Sequence, residues 1–216
     1  MRKMKNRISA IVVLVIVVVL AAIGIYTRNQ TTNHNAATSS SSIKTSGSVA
    51  KKKETAKTKA PEPTLIVYYS NSGTTQGAAE NIQKKTGADI VEMQITPAYP
   101  SDYSTLTQVA KKQINDNARP KITNLPDLTK YRTILLGFPT WYHRPPMFIN
   151  TFFEQANVKG KTIIPFTTSA SSPMSESTPF LEKMAQGTGA ALKEGFRAND
   201  DQATTRYLEQ AGLLKN

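Results

Sequence analysis

Short apolar runs alternate with longer amphipathic stretches along the chain after Pro63. Each short run is bounded by turn residues and predicts a buried β-strand. The five predicted strands cover Thr64–Tyr69, Asp89–Met93, Thr133–Phe138, Thr162–Phe166 and, with a weaker pattern, Ala190–Phe196. Because the runs are nearly continuous in apolar residues, we expect the strands to be covered on both faces.

The stretches between these runs have the apolar spacing and the capping residues of helices. They cover Thr75–Lys85, Ser104–Asn115, Pro146–Gln155, Ser175–Gln186 and Asp200–Leu213. Five strands that alternate with five helices predict a parallel sheet with right-handed crossovers and helices on both faces. In such folds the ligand binds beyond the carboxyl ends of the strands, where the strand order reverses. The loops after the first, third and fourth strands are therefore the candidate site.

The N-terminal region has a different pattern. No charged residue occurs from Ile8 to Thr27, and twenty residues at about 1.5 Å each span a hydrocarbon core of about 30 Å. Four basic residues precede this segment between Arg2 and Arg7, whereas only Arg28 follows it closely. The positive-inside rule therefore predicts a single-pass signal anchor in the cell membrane, with a cytoplasmic N-terminus and an extracytoplasmic domain. The alternative is a cleaved secretory signal, although its apolar region is usually shorter.

Residues 29–63 are rich in Ser, Thr and Lys and contain almost no apolar residue. Such a segment cannot offset the cost of ordering, so it predicts a disordered linker with a reach of roughly 30–35 Å. The chain thus divides into a basic start with the anchor (residues 1–28), the linker (29–63) and one folded domain (64–216).

The net charge of +12 is concentrated outside the folded domain. Residues 1–63 carry 11 Lys/Arg against 2 Asp/Glu, a net of +9, whereas residues 64–216 carry 16 against 13, a net of +3. A nucleic-acid binder is expected to concentrate basic residues on its folded surface, so this distribution argues against nucleic acid as a partner. The chain has no cysteine and only two histidines, which excludes thiol chemistry and gives no metal site.

Tyr69–Gln76 follows the first predicted strand and opens the first predicted helix. Its sequence, Tyr-Ser-Asn-Ser-Gly-Thr-Thr-Gln, is rich in hydroxyl groups. Helix N-termini present unpaired backbone N–H groups and the positive end of the macrodipole, so hydroxyls placed there add donors around a phosphate. No lysine follows Gly73 as it would in a nucleoside-triphosphate loop. The segment predicts a site that binds a phosphate monoester through uncharged hydroxyl and amide groups. The alternative is an ordinary turn.

The loops after the third and fourth strands carry aromatic and hydroxyl side chains. Gly137–Pro146 holds the only Trp of the chain, on a loop stiffened by prolines, and such a loop can stack a flat ring. The alternative is that Trp141 packs under the loop as an anchor. Pro165–Ser172 ends in hydroxyl residues that can hydrogen-bond the edge of a ring, or else cap the next helix.

These loops resemble those of the flavodoxin-like superfamily, and more closely those of small bacterial flavodoxin-type domains. The resemblance covers about Thr64–Leu214 and rests on Tyr69–Thr75, Ile95–Tyr103, Gly137–Tyr142 and Pro165–Ser169. It implies a three-layer α/β sandwich of the short-chain form, with a five-stranded parallel sheet in the order 2-1-3-4-5. It also implies noncovalent binding of flavin mononucleotide (FMN).

The resemblance assigns the cofactor-binding residues by their place in these motifs. The FMN phosphate is assigned to Ser70, Asn71, Ser72, Gly73, Thr74 and Thr75. The flavin ring and ribityl chain are assigned to Pro139, Thr140, Trp141, Tyr142, His143, Thr168, Ser169 and Ala170, with Tyr99 and Tyr103 closing one side. Since the flavin carries the redox chemistry, no catalytic acid–base pair is required.

Three functions follow as hypotheses. The first is a membrane-anchored flavoprotein that carries electrons at the outer face of the membrane, with a redox protein or a quinone as partner. The second is an FMN-dependent reductase that uses a nicotinamide donor. The third is a flavin-free envelope-binding module, because Ala170, Ser171 and Ser172 stand where related domains commonly have glycines. In the redox hypotheses, His143 and Arg144 near the ring predict a less negative reduction potential than that of an acidic flavodoxin.

Overall fold

The computed structural model describes residues 63–215. The predicted anchor and all but the last residue of the predicted linker lie outside these described residues. Among the helices of residues 63–215, none has the length and apolar character needed to cross a bilayer.

A parallel sheet forms the centre of the domain. Its strands are β1 (Thr64–Tyr68), β2 (Asp89–Glu92), β5 (Thr133–Pro139), β6 (Thr162–Thr168), β7 (Ala191–Leu192) and β8 (Phe196–Arg197). Their order is β2-β1-β5-β6-β7, with β8 paired beside β6. Every pairing in this sheet is parallel. The predicted order 2-1-3-4-5 is confirmed, because β5 and β6 are the predicted third and fourth strands and β7 and β8 share the fifth position.

Four helices lie between strands along the chain, and a fifth follows β8. They are α1 (Thr74–Thr86), α2 (Tyr103–Asn115), α3 (Phe148–Gln155), α4 (Met174–Ala185) and α5 (Asp201–Gln210). Asp102 caps α2 by accepting a hydrogen bond from the N–H of Thr105, and Asp200 caps α5 by accepting one from Ala203. The predicted helices are confirmed, with boundaries that agree within three residues.

Apolar side chains of successive strand residues point to opposite faces of the sheet and build two cores. Leu65 and Val67 contribute to one core, which α2, α3 and α4 cover. Ile66 and Tyr68 contribute to the other, which α1 and α5 cover through residues such as Ile82. The continuous apolar runs of the sequence are therefore explained by burial on both faces.

The fifth strand position is interrupted, and Pro165 explains where. The carbonyls of Lys161, Ile163 and Thr167 face this edge and accept hydrogen bonds from Ala191, Lys193 and Ala198 respectively. Pro165 belongs to the same alternating set of residues, whose backbone groups point to this edge, but it has no N–H to donate to the neighbouring strand. The edge strand therefore breaks between β7 and β8, which the sequence pattern had predicted as one weak run.

A second, two-stranded antiparallel ribbon was not predicted from the sequence. It joins β3 (Ile95–Thr96) to β4 (Lys121–Ile122). Each of its strands has only two residues, too short for any apolar period to show.

Candidate functional site

Three loops meet at the carboxyl ends of β1, β5 and β6 and enclose a cleft of about 820 Å³. The β1 loop (Tyr69–Gly73) leads into α1, the β5 loop (Thr140–Met147) leads into α3, and the β6 loop (Ser169–Pro173) leads into α4. β1 and β5 are neighbours in the sheet but not in the chain, so the cleft lies where the strand order reverses. We refer to it as the strand-end cleft.

Hydrogen bonds between the loops fix the floor of the strand-end cleft. Thr75 Oγ1 lies 2.8 Å from Thr168 Oγ1 in a buried contact that ties α1 to β6. The N–H of Thr140 donates to the carbonyl of Thr168 over 2.9 Å, and Thr140 Oγ1 lies 2.6 Å from Thr167 Oγ1. The hydroxyl-rich strand ends thus form one connected network rather than three separate turns.

The β1 loop presents hydrogen-bond donors that the described residues leave largely unsatisfied. Gly73 precedes α1 with φ +84°, and no side chain caps the N–H groups of the first helical turn. Ser72 Oγ and Thr74 Oγ1, 3.3 Å apart, are exposed. Among the described residues, Ser70 Oγ is buried and lacks a hydrogen-bond partner. A buried hydroxyl without a partner is costly, so this loop has the donors that an oxyanion would satisfy.

The side chain of Asn71 has a mainly supporting place in the β1 loop. Its Oδ1 accepts a hydrogen bond from the hydroxyl of Tyr69 over 2.9 Å. Its Nδ2 donates to the carbonyl of Pro100 over 3.0 Å. Asn71 also lines the strand-end cleft, but its amide is already used to tie the β1 loop to the segment that precedes α2.

The β5 loop contains a tight two-residue turn. The backbones of Trp141 and Arg144 exchange hydrogen bonds of 3.0 and 3.2 Å, which makes an isolated antiparallel bridge. Between them, Tyr142 and His143 have φ values of +49° and +60°. Positive φ at both central residues is typical of a type I′ turn, which favours Asn and Gly. This turn places Trp141, Tyr142 and His143 on the wall of the strand-end cleft.

Trp141 belongs both to the cleft and to an aromatic cluster behind it. Its ring packs at 4.8 Å against Tyr99, and at 6.3 and 6.4 Å against Tyr69 and Phe148. Burial raises the pKa of Tyr69 to about 12 and raises that of Tyr99 further, so both phenols are neutral at ordinary pH. The sequence had suggested that Tyr99 closes one side of the cleft. Tyr99 does not line the cleft but packs against Trp141 from behind.

The β6 loop contains no glycine, and none of its residues has a positive φ. Within residues 63–215, positive φ at a non-glycine residue is found at Asn117, Tyr142 and His143 only. Ala170 and Ser171 therefore do not need the freedom of glycine, and the departure from the usual glycines does not distort the loop. The N–H of Ser169 donates to Asn199 Oδ1 over 3.1 Å, which anchors the loop to the segment before α5.

His143 and Arg144 are adjacent in sequence but lie in different surroundings. The Nδ1 of His143 lies 2.8 Å from Glu176 Oε2 and 3.2 Å from Ser172 Oγ, at the edge of the strand-end cleft. Hydrogen bonding from the Ser172 hydroxyl and then from His143 lowers the pKa of Glu176. The guanidinium of Arg144 lies 4.3 Å from the centre of the Phe180 ring and lines another cleft. The sequence predicted that both side chains lie near the flavin ring; His143 lines the strand-end cleft, whereas Arg144 does not.

The structure brings the predicted site residues together. Apart from Ser70 and Gly73 of the β1 loop, each of them lines the strand-end cleft. A wall from α2 was not predicted: Leu106, Thr107 and Ala110 line the cleft beside Tyr103. Only the apolar periodicity of α2 marked these residues in the sequence, and that signal indicated a core position. Tyr103 and Tyr142 are 78% and 44% exposed, so two aromatic side chains flank the mouth.

Comparison with known proteins places the chain in a family. The family model described as flavodoxin matches residues 63–210. A candidate flavoprotein from Bacteroides eggerthii is 30% identical, with a TM-score of 0.61 over 70% of this chain and 98% of that chain. A flavoprotein from Lactobacillus acidophilus, solved in complex with FMN, is 26% identical, with a TM-score of 0.56 over 64% of this chain and 94% of that chain. No curated protein matches the sequence. The chain belongs to the flavodoxin family.

Proposed function

We propose that the domain binds FMN in the strand-end cleft and carries electrons as a flavoprotein tethered to the outer face of the membrane. The observation that carries the proposal is the convergence of the β1, β5 and β6 loops on one cleft with a hydroxyl-lined helix N-terminus. The cleft volume of about 820 Å³ lies in the range of cofactor sites, which is about 300–1,000 Å³. The relative from Lactobacillus acidophilus, whose complex contains FMN, supports the choice of ligand.

The residues of the β1 loop fit the phosphate of FMN. Ser70 Oγ is a buried donor without a partner in the described part of the chain, and Ser72 and Thr74 are exposed donors beside the uncapped start of α1. Hydroxyl and amide donors can bind a phosphate monoester without a cation, because each bond to the charged group is charge-assisted. Thr75 supports this cradle from below through its bond to Thr168.

The β5 and β6 loops fit the ring and its edge. Trp141 is held in place by its aromatic cluster, so it offers a rigid face with little entropy to lose on stacking. Thr168 at the end of β6, with Ser169 and Ala170 of the β6 loop, lines the cleft with hydroxyl and backbone groups. When bound, FMN supplies the redox chemistry, while the protein orients the ring and restricts water around it.

The N-terminal sequence supports a place of action at the membrane and a membrane-associated partner. The uncharged segment 8–27 and the basic residues before it support an anchor with the domain outside. The linker that follows gives the domain reach along the membrane surface, which suits exchange of electrons with a membrane-bound redox protein or a quinone. An FMN-dependent reductase with a nicotinamide donor is the second candidate, because Tyr103 and Tyr142 leave an exposed aromatic mouth where a flat molecule can stack.

The first experiment measures FMN binding by the full chain, purified in a mild detergent, from visible absorbance and quenching of flavin fluorescence. The double variant Ser72→Ala/Thr74→Ala removes two exposed hydroxyl donors of the β1 loop. Because a hydrogen bond to a charged group is worth about 1.5–3 kcal/mol, we expect the dissociation constant to rise at least tenfold. Thr205→Ala, which removes an exposed hydroxyl of α5, is the matched control and should bind FMN as the parent does.

Each outcome separates the functions. A colourless protein that neither binds FMN nor quenches its fluorescence would contradict the redox proposals and favour a flavin-free binding module. In a protein that binds FMN, anaerobic titration that takes up electrons one at a time supports electron transfer. Steady turnover of a quinone with a nicotinamide donor, without a partner protein, would instead favour the reductase.

A further inference from the structure

A second cleft, of about 810 Å³, opens between α3 and α4 on the face of the sheet that these helices cover. We call it the α3–α4 cleft. Phe153 of α3 and Phe180 of α4 contribute to its walls, and Arg119 reaches it from the segment after α2. Arg144, which ends the tight turn of the β5 loop, also lines it. Residues of one short turn therefore line both clefts.

Arg144 has the properties of a cation that lacks an anion. Its Nε is buried and, among the described residues, has no hydrogen-bond partner. Its guanidinium contacts the ring of Phe180, but it forms no ion pair with any carboxylate of residues 63–215. Burial and, to a smaller extent, repulsion from Arg119 lower the pKa of Arg144. A partly buried charge that is left without a partner is costly, so an anion in the cleft that Arg144 lines would stabilise this guanidinium.

The charge of the whole cleft has the same sign. Four cationic residues line it, namely Arg119, Arg144, Lys159 and Lys183, against the single carboxylate of Glu154. That carboxylate is already paired with Arg119 at 2.6 Å. Within the described chain, Lys159 and Lys183 form no ion pair. The lining thus carries a net charge of +3, equal to the formal charge of the whole folded domain, which is 16 cations against 13 anions.

We propose that the α3–α4 cleft binds a small molecule with two or more oxyanion groups, either a polycarboxylate or a phosphorylated compound. The planar guanidinium of Arg144 suits two oxygens of one carboxylate or phosphate, and the lysines act as point charges toward a second group. Side-chain amides of Asn157 and Gln186 line the same cleft and add neutral donors. The volume suits a small molecule. The site does not depend on whether FMN occupies the strand-end cleft.

The test is isothermal titration calorimetry of the full chain in mild detergent at low ionic strength, with inorganic pyrophosphate and with citrate as the two probes. We expect saturable binding of at least one probe. Arg144→Gln should raise its dissociation constant at least tenfold. Arg144→Lys should keep only part of the parent's affinity, because lysine keeps the charge but lacks the paired, planar N–H donors of the guanidinium. Tighter binding of pyrophosphate would indicate a phosphorylated ligand, and tighter binding of citrate would indicate a polycarboxylate.

Two controls distinguish binding in this cleft from nonspecific electrostatic attraction and from binding in the strand-end cleft. Lys183→Gln changes an exposed residue of the cleft and should weaken binding without a risk to folding, whereas Lys84→Gln, an exposed lysine of α1, should leave the affinity within twofold. The Ser72→Ala/Thr74→Ala variant should also bind the probes as the parent does. The proposal is overturned if neither probe binds saturably, if Lys84→Gln weakens binding as much as Lys183→Gln, or if only the β1 loop variant loses binding.

Discussion

Tyr142 and His143 occupy the left-handed region of backbone space although neither is a glycine or an asparagine. This conformation costs an ordinary residue roughly 1–2 kcal/mol. The turn persists because Trp141 and Arg144 close it by two backbone hydrogen bonds and because both residues are held by packing, Trp141 on Tyr99 and Arg144 on Phe180. A local preference is thus overridden at the residues that line the strand-end cleft, which is where functional strain is expected.

Two substitutions at His143 measure this strain. His143→Gly and His143→Ala both remove the imidazole, but only glycine relieves the positive φ. We expect the glycine variant to have the higher free energy of unfolding, by about 1 kcal/mol, in urea denaturation. Both variants should bind FMN with equal affinity, because they lack the same side chain. Equal stability of the two variants would show that the turn stores no backbone strain.

Glu176 makes the edge of the strand-end cleft sensitive to acid. Its pKa lies below the ordinary value of 4.5, because Ser172 and His143 stabilise the carboxylate. A lowered pKa stabilises the folded state when the carboxylate is ionised, so this contribution is complete above about pH 4.5 and is lost as the pH falls through the lowered value. We expect Glu176→Gln to lose stability against the parent at pH 7 and to lose less at pH 3, by urea denaturation.

The control for this prediction is Glu209→Gln, which removes an exposed carboxylate at the C-terminal end of α5. A stability difference between parent and Glu176→Gln that does not change with pH would mean that the interaction with His143 and Ser172 does not depend on the ionised carboxylate.

At the scale of elements, β5 and β6 are fitted to each other around Gly137. A Cβ atom on Gly137 would lie 2.2 Å from the Phe166 ring. Phe166 has no exposed surface and stacks on Phe196, which in turn stacks on Tyr207 of α5. The ring cannot retreat without moving both partners. The glycine in the middle of β5 is therefore a packing requirement that couples two strands and a helix.

Gly137→Ala should lower the free energy of unfolding by about 1–3 kcal/mol or more, because overpacking forces the ring or the strand to move. Gly77→Ala is the matched control: Gly77 lies in α1, and nothing lies within 4 Å of the position of its Cβ. Alanine there should raise the free energy of unfolding by about 0.5–1 kcal/mol, as it does in helices. Thermal denaturation of both variants measures the difference, and a neutral Gly137→Ala would show that Phe166 has room to move.

At the scale of the whole molecule, the folded domain separates two kinds of site. The strand-end cleft presents neutral hydroxyls and aromatic rings at the point where the strand order reverses. The α3–α4 cleft presents cations on one helical face. The Trp141–Arg144 turn contributes residues to both clefts: Arg144 lines the α3–α4 cleft, and the other three residues line the strand-end cleft. This arrangement gives the domain separate places for a redox cofactor and for a small anion.

The resemblance to flavodoxin-like domains implied the strand order, and the sequence pattern by itself determined the strands, the helices and the three loops of the strand-end cleft. It did so because buried parallel strands are continuous apolar runs and because turn residues mark their ends. Only the tertiary structure decided which side of the β5 loop Arg144 takes, because that depends on packing against Phe180, distant in sequence. The supporting place of Tyr99, the α2 wall and the break opposite Pro165 likewise depend on contacts between elements, which no local period encodes.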